Sequence, residues 1–223
     1  MKHIARIYTD FPTKFGIPRQ SGLDGGLSAK IVFEPEYRRD EAIRGIEGFS
    51  YLWLIWEFSR TAEDGWHPTV RPPKLGGNTR LGVFATRSPF RPNPIGLSSV
   101  KLERVEFGTP QGAVLYVSGA DIVNATPIYD IKPYLPYTDS HPDAATGFVP
   151  EPTLLEVNFP PELLARVAPD KRDALIKILA QNPRPSYQED SERIYGFGFA
   201  GMEIKFTTVG NTINVCEVVN TAD

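Results

Sequence analysis

Four successive runs in the middle of the chain decide the fold: RLGVFATRS (residues 80–88), LSSVKLERVEF (97–107), AVLYVSGADIV (113–123) and PIYDIKPY (127–134). Each run is rich in apolar residues and is bounded by Gly, Pro or Asn, at the spacing typical of all-β barrels. Strand follows strand with no helical pattern between them, which argues against a doubly wound parallel sheet. The sequence therefore predicts a mainly β fold whose N-terminal domain is a small β-barrel.

Towards the N-terminus, the same barrel gains further elements. Residues 4–8 and 29–33 predict two more strands, separated by a loop dense in Gly and Pro. PEYRRDEAIRGIEGFS (35–50) predicts a short helix. YLWLIWEF (51–58) is apolar at nearly every position, which predicts a central strand buried on both faces. Residues 59–80 contain Gly, Pro and Asn throughout and are predicted to form a long functional loop.

The C-terminal third has a different pattern. PPELLARVAP (160–169) and DKRDALIKILAQ (170–181) are predicted helices, and residues 193–219 predict strands joined by a hairpin at Gly210-Asn211. A polar, Pro-containing segment separates this part from the barrel. The predicted organisation is a barrel domain at 1–140, a linker at 141–152 and a smaller α+β domain at 153–223.

Composition excludes several classes of protein. The 223 residues include a single cysteine, Cys216, and three widely spaced histidines, so neither a disulfide framework within the chain nor a Cys-based metal site is expected. No apolar run approaches the roughly 20 residues that cross a bilayer, and the N-terminus lacks the pattern of a secretory signal. We expect a soluble, cytoplasmic protein with no membrane partner. The chain has no P-loop, and no G-x-G-x-x-G between a strand and a helix, which argues against a Rossmann-type site.

Charge is distributed unevenly along the chain. The net charge is −3, yet residues 66–102 contain no Asp or Glu and carry +6, which leaves −9 on the remainder. The six cations are Arg71, Lys74, Arg80, Arg87, Arg91 and Lys101. Such a basic segment in an acidic protein indicates an anionic ligand, nucleic acid included. The alternative is a solvated loop whose arginines pair with carboxylates elsewhere in the fold.

The most unusual part of this basic segment is GVFATRSPFRPNPIGLSSVKL (82–102). Arg87 and Arg91 lie on either side of Pro89, and further prolines follow, so the backbone is rigid and extended. A rigid loop that presents two guanidinium groups suits recognition of a carboxylate or a phosphate. The alternative is a structural corner whose arginines bond to backbone carbonyls.

A second candidate segment is GADIVNATPIYDIKPYLPY (119–137), which supplies Asp121, Asp130 and Lys132 among three tyrosines. Strand alternation places Asp130 and Lys132 on one face. An Asp–Lys pair on a sheet is most often a surface ion pair worth under about 1 kcal/mol. Among tyrosines, it could instead bind a flat ring or remove a proton.

Several motifs carry a family resemblance: KFGIPRQSGL (14–23), GIEGFSYLWLIW (45–56), GWHPTVRPPKLGGNTRLGVFATRSPFRPNPIGLSSVKL (65–102) and DIKPYLPYTDS (130–140). Together they resemble the TsaA-like family of tRNA methyltransferases over residues 4–140, and QNPRPSY (181–187) extends the resemblance. The resemblance implies a small barrel that binds S-adenosylmethionine without a Rossmann fold and works as a homodimer. It also implies methylation of N6 of threonylcarbamoyl-adenosine at tRNA position 37, just 3′ of the anticodon.

Three groups of candidate site residues follow. The acceptor nitrogen is urea-like and a poor nucleophile until it loses its proton, so the catalytic candidates are Asp130, Asp121 and Tyr129. By resemblance, the cofactor lies against Gln20, Ser21, Gly22, Phe58, Ser59, Arg87, Leu97, Thr126, Pro127, Ile128 and Tyr129. The tRNA-binding candidates are Arg71, Lys74, Arg80, Arg91, Asn93, Lys132 and Arg184. No metal site is expected.

One short segment departs from the family pattern. The chain has NATP at 124–127 where the family usually has Asp-Gly-Thr-Pro. The lost glycine predicts either a turn that no longer needs a positive φ or one in which Asn124 supplies it. The lost carboxylate removes one candidate base. Two alternative functions stay open: a non-catalytic barrel that binds RNA or a small anionic ligand, and a methyltransferase with another acceptor.

Overall fold

The computed structural model describes residues 1–18, 20–23, 26–60, 65–72, 75, 79–149, 153–184 and 190–221. Its strands are β1 (Ala5–Tyr8), β2 (Ser28–Phe33), β3 (Tyr51–Glu57), β4 (Thr69–Val70), β5 (Leu81–Gly82), β6 (Ile95–Thr109), β7 (Gly112–Ser118), β8 (Thr126–Pro133), β9 (Glu156–Asn158), β10 (Tyr195–Phe199), β11 (Met202–Val209) and β12 (Thr212–Asn220). Its α-helices are α1 (Pro136–Asp139), α2 (Pro161–Leu164) and α3 (Arg172–Ala180). No helix in these ranges is long and apolar enough to cross a membrane.

Six strands close into a barrel in the order β1-β2-β7-β6-β3-β8, with every neighbouring pair antiparallel. Closure leaves the sheet without free edges, and the alternate side chains of each strand fill the interior. Residues with no exposed surface line this core: Ile7, Ile31, Leu52, Leu54, Val100, Leu115 and Ile128. The predicted mainly β fold with an N-terminal barrel is confirmed.

The prediction that β3 is buried on both faces is wrong. Leu52, Leu54 and Trp56 point into the core, but Tyr51 is 43% exposed, and Trp53 and Ile55 are only partly covered. β3 is a barrel-wall strand, so one of its faces is the outer surface of the barrel. Its aromatic outer residues conceal this alternation in the sequence.

Two other local predictions are also wrong. The run at 80–88 forms a strand only at Leu81–Gly82, followed by a single 3-10 turn at Val83–Ala85. The predicted helix at 35–50 is instead three 3-10 turns: Pro35–Tyr37, Asp40–Ile43 and Ile46–Gly48. Glycines interrupt this stretch, and a helix so short gains little from packing.

The C-terminal part forms a second sheet in the order β10-β11-β12-β9, with α3 packed against it over a separate core. β11 and β12 form the predicted hairpin, since Val209 pairs with Thr212 and Gly210 has a φ of 56°. β9 runs parallel to β12 and was not predicted. This second core also contains residues from the N-terminal loop: Phe11, Phe15, Ile17 and Leu27.

Candidate functional site

One end of the barrel brings together four of the predicted cofactor-binding residues: Gln20, Ser21, Gly22 and Arg87. The Gly22 N–H donates to the carbonyl of Gly119 at 2.9 Å, which fixes the loop against the chain that leaves β7. The Arg87 guanidinium donates to the Gln20 side-chain oxygen. Ser21 lies between these two contacts. The structure therefore joins the 20–22 loop, the arginine loop and the turn after β7 at a single place.

A chain of hydrogen bonds leads from the barrel interior to the carboxylate of Asp121. Trp56 Nε1 donates to Ser98 Oγ at 3.0 Å, and Ser98 Oγ donates to Asp121 Oδ1 at 2.5 Å. An indole N–H can only donate, so the buried Ser98 hydroxyl must direct its own proton to the carboxylate. Asp121 is thereby held in one orientation at the barrel end.

Three other cofactor candidates flank this network. The Phe58 ring packs on Trp56 with centroids 4.4 Å apart, and Ser59 follows it at the surface. A Cβ placed on Gly96 would lie 2.3 Å from the Trp56 ring, so glycine is required for the indole to lie there. The next residue, Leu97, points outward and is 59% exposed. Leu97 therefore lies on the outer face of β6, opposite to the side on which Ser98 contacts Asp121.

Asp130 and Lys132 lie on the outer face of the barrel, on the same side of β8, as strand alternation predicts. Lys132 Nζ is 3.0 Å from Asp130 Oδ2, and both side chains are about half exposed. Ile55 is the cross-strand partner of both Asp130 and Leu97, so these three residues form one row across β8, β3 and β6. Asp121 instead contacts the barrel interior, so the two candidate carboxylates occupy different faces.

Tyr129 belongs to a cluster that the sequence did not indicate. Burial, together with the hydrogen bond and negative charge of Glu57, raises the pKa of Tyr129. His3 Nε2 is 2.8 Å from Glu57 Oε2, and the His3 and Tyr129 rings have centroids 4.9 Å apart. Tyr129 therefore stays protonated at neutral pH, where it donates a hydrogen bond to Glu57. His3 and Glu57 are far apart in sequence and match no motif, so only the fold reveals this cluster.

Three predicted cofactor-binding residues are buried in the barrel wall. Ile128 has no exposed surface, Pro127 is buried, and the Thr126 hydroxyl donates to the carbonyl of Val123 at 2.7 Å. Their side chains therefore do not line the site. They are buried because β8 begins at Thr126 and its inner face is part of the core. Contact of the cofactor with main-chain groups at these positions stays a prediction.

The NATP turn has a positive φ at the alanine that stands where the family usually has glycine. Ala125 has a φ of 63°, so neither expected alternative for this turn is correct. Asn124 is not the residue with positive φ; its Oδ1 accepts from the Thr9 N–H at 3.1 Å, and its own N–H donates to the carbonyl of Phe11 at 2.8 Å. The side-chain amide thus ties this turn to the N-terminal loop.

The tRNA-binding candidates fall into two groups. Arg71, Arg80 and Asn93 are exposed, with Arg80 Nη1 donating to Thr69 Oγ1 at 2.9 Å. Arg91 is half-buried and donates to the carbonyls of Val83 (3.1 Å) and Thr86 (2.8 Å), as the structural-corner alternative predicts.

Two of the three remaining cations, Lys132 and Arg184, lie elsewhere in the fold. Lys132 is paired with Asp130, as described above. Arg184 follows α3 in a segment that Gln181 ties to the carbonyl of Leu23 at 2.5 Å, next to the 20–22 loop. Lys74 lies outside the described residues.

Other parts of the described chain do not bring several predicted site residues together. A concavity of about 500 Å³ on the C-terminal sheet is lined by none of the residues above, and its Lys205 is 2.7 Å from Glu217, which raises the pKa of Lys205. Within the described ranges, no three His, Cys, Asp or Glu side chains are placed to hold a metal ion. The barrel end and the adjoining outer face are therefore the candidate site.

Comparison with known families defines the class of protein. The tRNA-methyltransferase O N-terminal domain matches residues 6–140, and the TrmO C-terminal domain matches residues 152–221. The chain therefore belongs to the TrmO family, whose small barrel and appended domain correspond to the two sheets described above.

Individual relatives agree with this assignment. The chain is 41% identical over 199 residues to the tRNA (adenine(37)-N6)-methyltransferase of Escherichia coli K12, covering 86% of this chain and 84% of that protein. It is 49% identical over 160 residues to the protein of the same name from Eikenella corrodens, covering 71% of this chain and 90% of that one. The crystal structure of TrmO from Pseudomonas aeruginosa superposes with a TM-score of 0.75 at 31% identity, covering 98% of this chain and 97% of that one.

Proposed function

We propose that this protein transfers a methyl group from S-adenosylmethionine to N6 of adenosine 37 in tRNA, with threonylcarbamoyl-adenosine as the acceptor. The observation that carries the proposal is the convergence of the 20–22 loop, Arg87 and the held carboxylate of Asp121 at one barrel end. It occurs in a chain of the TrmO family, whose curated relatives are named for this reaction. The chain is thus an S-adenosylmethionine-dependent tRNA methyltransferase.

The residues present suit the chemical groups of S-adenosylmethionine. Arg87 is exposed and uses one nitrogen on Gln20, which leaves the rest of its guanidinium for a carboxylate. The Asp121 carboxylate, oriented by Ser98, can accept hydrogen bonds from ribose hydroxyls or an ammonium group. Phe58 and the exposed Leu97 offer apolar surface for an adenine ring. The bound sulfonium supplies an activated methyl group.

The protein has to align the acceptor nitrogen with that methyl group and exclude water. The N6 nitrogen must also lose a proton. We assign the proton to Asp130, because its half-exposed carboxylate lies on the outer face in one row with Leu97, where an acceptor base can approach. Asp121 acts as the orienting carboxylate and Tyr129 as a hydrogen-bond donor. One N–C bond forms, one S–C bond breaks, and the proton leaves on Asp130.

Finer features of the proposal rest on the family resemblance and on exposure. We propose that the anticodon loop is the part of tRNA that is recognised and that the protein acts in the cytoplasm, where its substrate is. We also propose, from the family resemblance, that the protein works as a homodimer. We also propose the division into a barrel domain at 1–140, a linker at 141–152 and a second domain at 153–223, in accord with the two separate cores.

Mass spectrometry of nucleosides tests the proposal. tRNA carrying unmethylated threonylcarbamoyl-adenosine is incubated with S-adenosylmethionine and either the wild type, Asp130→Asn or the control Asp143→Asn, which changes an exposed aspartate beyond α1. We expect that nucleoside to gain one methyl group with the wild type and the control and far less with Asp130→Asn.

The remaining outcomes separate the alternative functions. No methyl gain, with cofactor binding still seen by calorimetry, would indicate another acceptor. Absence of both would establish a non-catalytic barrel that binds RNA or a small anion. Full activity in Asp130→Asn would remove Asp130 as the proton acceptor and leave the reaction itself standing.

A further inference from the structure

Two exposed aromatic rings in the acid-free segment have no part in the chemistry above. Phe84 is 71% exposed and Trp66 is 53% exposed. Both lie in residues 66–102, the stretch without Asp or Glu. Large apolar side chains this open to water need an explanation when they belong to a charged, rigid loop.

The backbone around these rings is firmly connected. β4 pairs with β5 through Thr69 and Gly82, and the Val83 N–H donates to the carbonyl of Pro68 at 3.0 Å. The His67 N–H donates to the carbonyl of Phe90 at 3.2 Å. The residues next to Trp66 are thus bonded to residues on either side of Phe84. The two exposed rings are therefore carried by backbone segments that are bonded to each other.

Arg91 contacts Phe84 and the backbone next to it. Its guanidinium carbon lies 5.5 Å from the centroid of the Phe84 ring. The same group donates to the carbonyls of Val83 and Thr86, which close the turn that carries Phe84. One side of the ring therefore contacts a held cation, whereas the remainder is open to a ligand.

The charge around the rings defines the ligand. Arg71, Arg80 and Arg87 are exposed in the same segment. Exposed aromatic rings beside arginines are what unpaired nucleotides require, because bases stack on the rings while phosphates contact the cations. A rigid ring also loses little conformational entropy when a base stacks on it.

We propose that Phe84 and Trp66 form a stacking surface for unpaired nucleotides of the tRNA anticodon loop, with Arg71 and Arg80 contacting the adjoining phosphates. The choice of this RNA segment rests on the proposed function. Stacking sets the affinity of the loop nucleotides, and the arginines set its dependence on salt. A second copy of this acidic chain is the competing occupant.

RNA binding without cofactor tests this surface separately from catalysis. A labelled anticodon stem-loop RNA is titrated by fluorescence anisotropy with the wild type, Phe84→Leu, Trp66→Leu and the control Phe107→Leu, over a series of salt concentrations. Phe107 is 43% exposed but has Asp40, Glu41 and Glu47 beside it. Phe84→Leu and Trp66→Leu should each bind the RNA at least about fivefold more weakly, and the slope of affinity against salt concentration should stay unchanged. Arg71→Ala should instead lower the slope by about 0.7.

Three results would overturn this inference. The first is an affinity for the RNA equal to that of the wild type in both Phe84→Leu and Trp66→Leu. The second is an equal loss of affinity in Phe107→Leu. The third is a change in oligomeric state in Phe84→Leu or Trp66→Leu on size-exclusion chromatography, which would make the surface an interface between copies. Binding that depends on Phe84 in a protein without methyl transfer would support the stacking surface and refute only the proposed reaction.

Discussion

The barrel and the C-terminal domain differ in which segments of the chain supply the residues of their hydrophobic cores. The barrel buries side chains of its own strands and of the turns beside them, whereas the C-terminal core includes Phe11 and Leu27 from the N-terminal loop. Phe11 is among the largest fully buried side chains of the described chain. The loop thus belongs to the barrel by sequence and to the second domain by packing. The same loop carries Gln20 and Gly22. The C-terminal domain therefore supports a segment that forms part of the candidate site.

Polar contacts bind both ends of this N-terminal loop to the C-terminal domain. Lys171 forms an ion pair with Asp10, whose carbonyl also accepts from the Ala200 N–H at 2.9 Å. At the other end, Gln181 donates to the carbonyl of Leu23. The C-terminal domain therefore positions the loop that meets Arg87 at the barrel end.

The largest effect is expected from removing the shared aromatic side chain. Phe11→Ala deletes a fully buried ring and should lower the free energy of unfolding by about 3–5 kcal/mol. Because the loop loses its anchor, affinity for S-adenosylmethionine should fall as well. Thermal unfolding and calorimetry measure the two effects, with Phe107→Ala as the exposed control. Undiminished cofactor affinity in a destabilised Phe11→Ala protein would show that the loop needs no support from the second domain.

An intermediate effect, confined to activity, is expected at the other side of the site. Arg87→Ala removes an exposed guanidinium that contacts Gln20, so stability should change by no more than about 0.5 kcal/mol. Methyl transfer at low cofactor concentration should fall at least about tenfold, because a charged hydrogen bond is lost. Initial rates and thermal unfolding distinguish the two effects, and Arg44→Ala, which changes an exposed arginine among acidic residues, is the control. Normal methylation by Arg87→Ala would mean that the site is placed wrongly.

The smallest effect concerns the turn where the barrel meets the loop. Ala125→Gly should raise the free energy of unfolding by about 1 kcal/mol, because a φ of 63° is strained for alanine and not for glycine. Ala113→Gly, in β7, is the matched control and should be destabilising, since glycine weakens an ordinary strand. A lower unfolding midpoint for Ala125→Gly would contradict the left-handed conformation assigned to this turn.

The sequence predicted where the strands lie along the chain better than which side of each strand is buried. Strand runs bounded by Gly and Pro located β6, β7 and β8, because backbone preferences are local. The exposed side of β3 was missed, since Tyr51 and Trp53 are as apolar as core residues. The burial of Thr126 and Ile128 was not predicted either, because motif position carries no information on which way a side chain points.

The candidate site, too, could be predicted from the sequence only in part. Arg87 and the 20–22 loop could be assigned from motifs, and the structure joins them. The contacts of Arg91 with carbonyls, and the cluster of His3 with Glu57, depend on approaches between distant segments. Only closure of the barrel brings those segments together.

The close approach of Gly96 to Trp56 links two positions that are partners across β3 and β6. Any side chain at 96 would displace the indole that donates to Ser98, and with it the orientation of Asp121. A smaller residue at 56 would relieve the collision but would leave the Ser98 hydroxyl free to rotate. We therefore expect the two residues to be replaced together during divergence, because a change of either one alone would alter the orientation of the carboxylate at the barrel end.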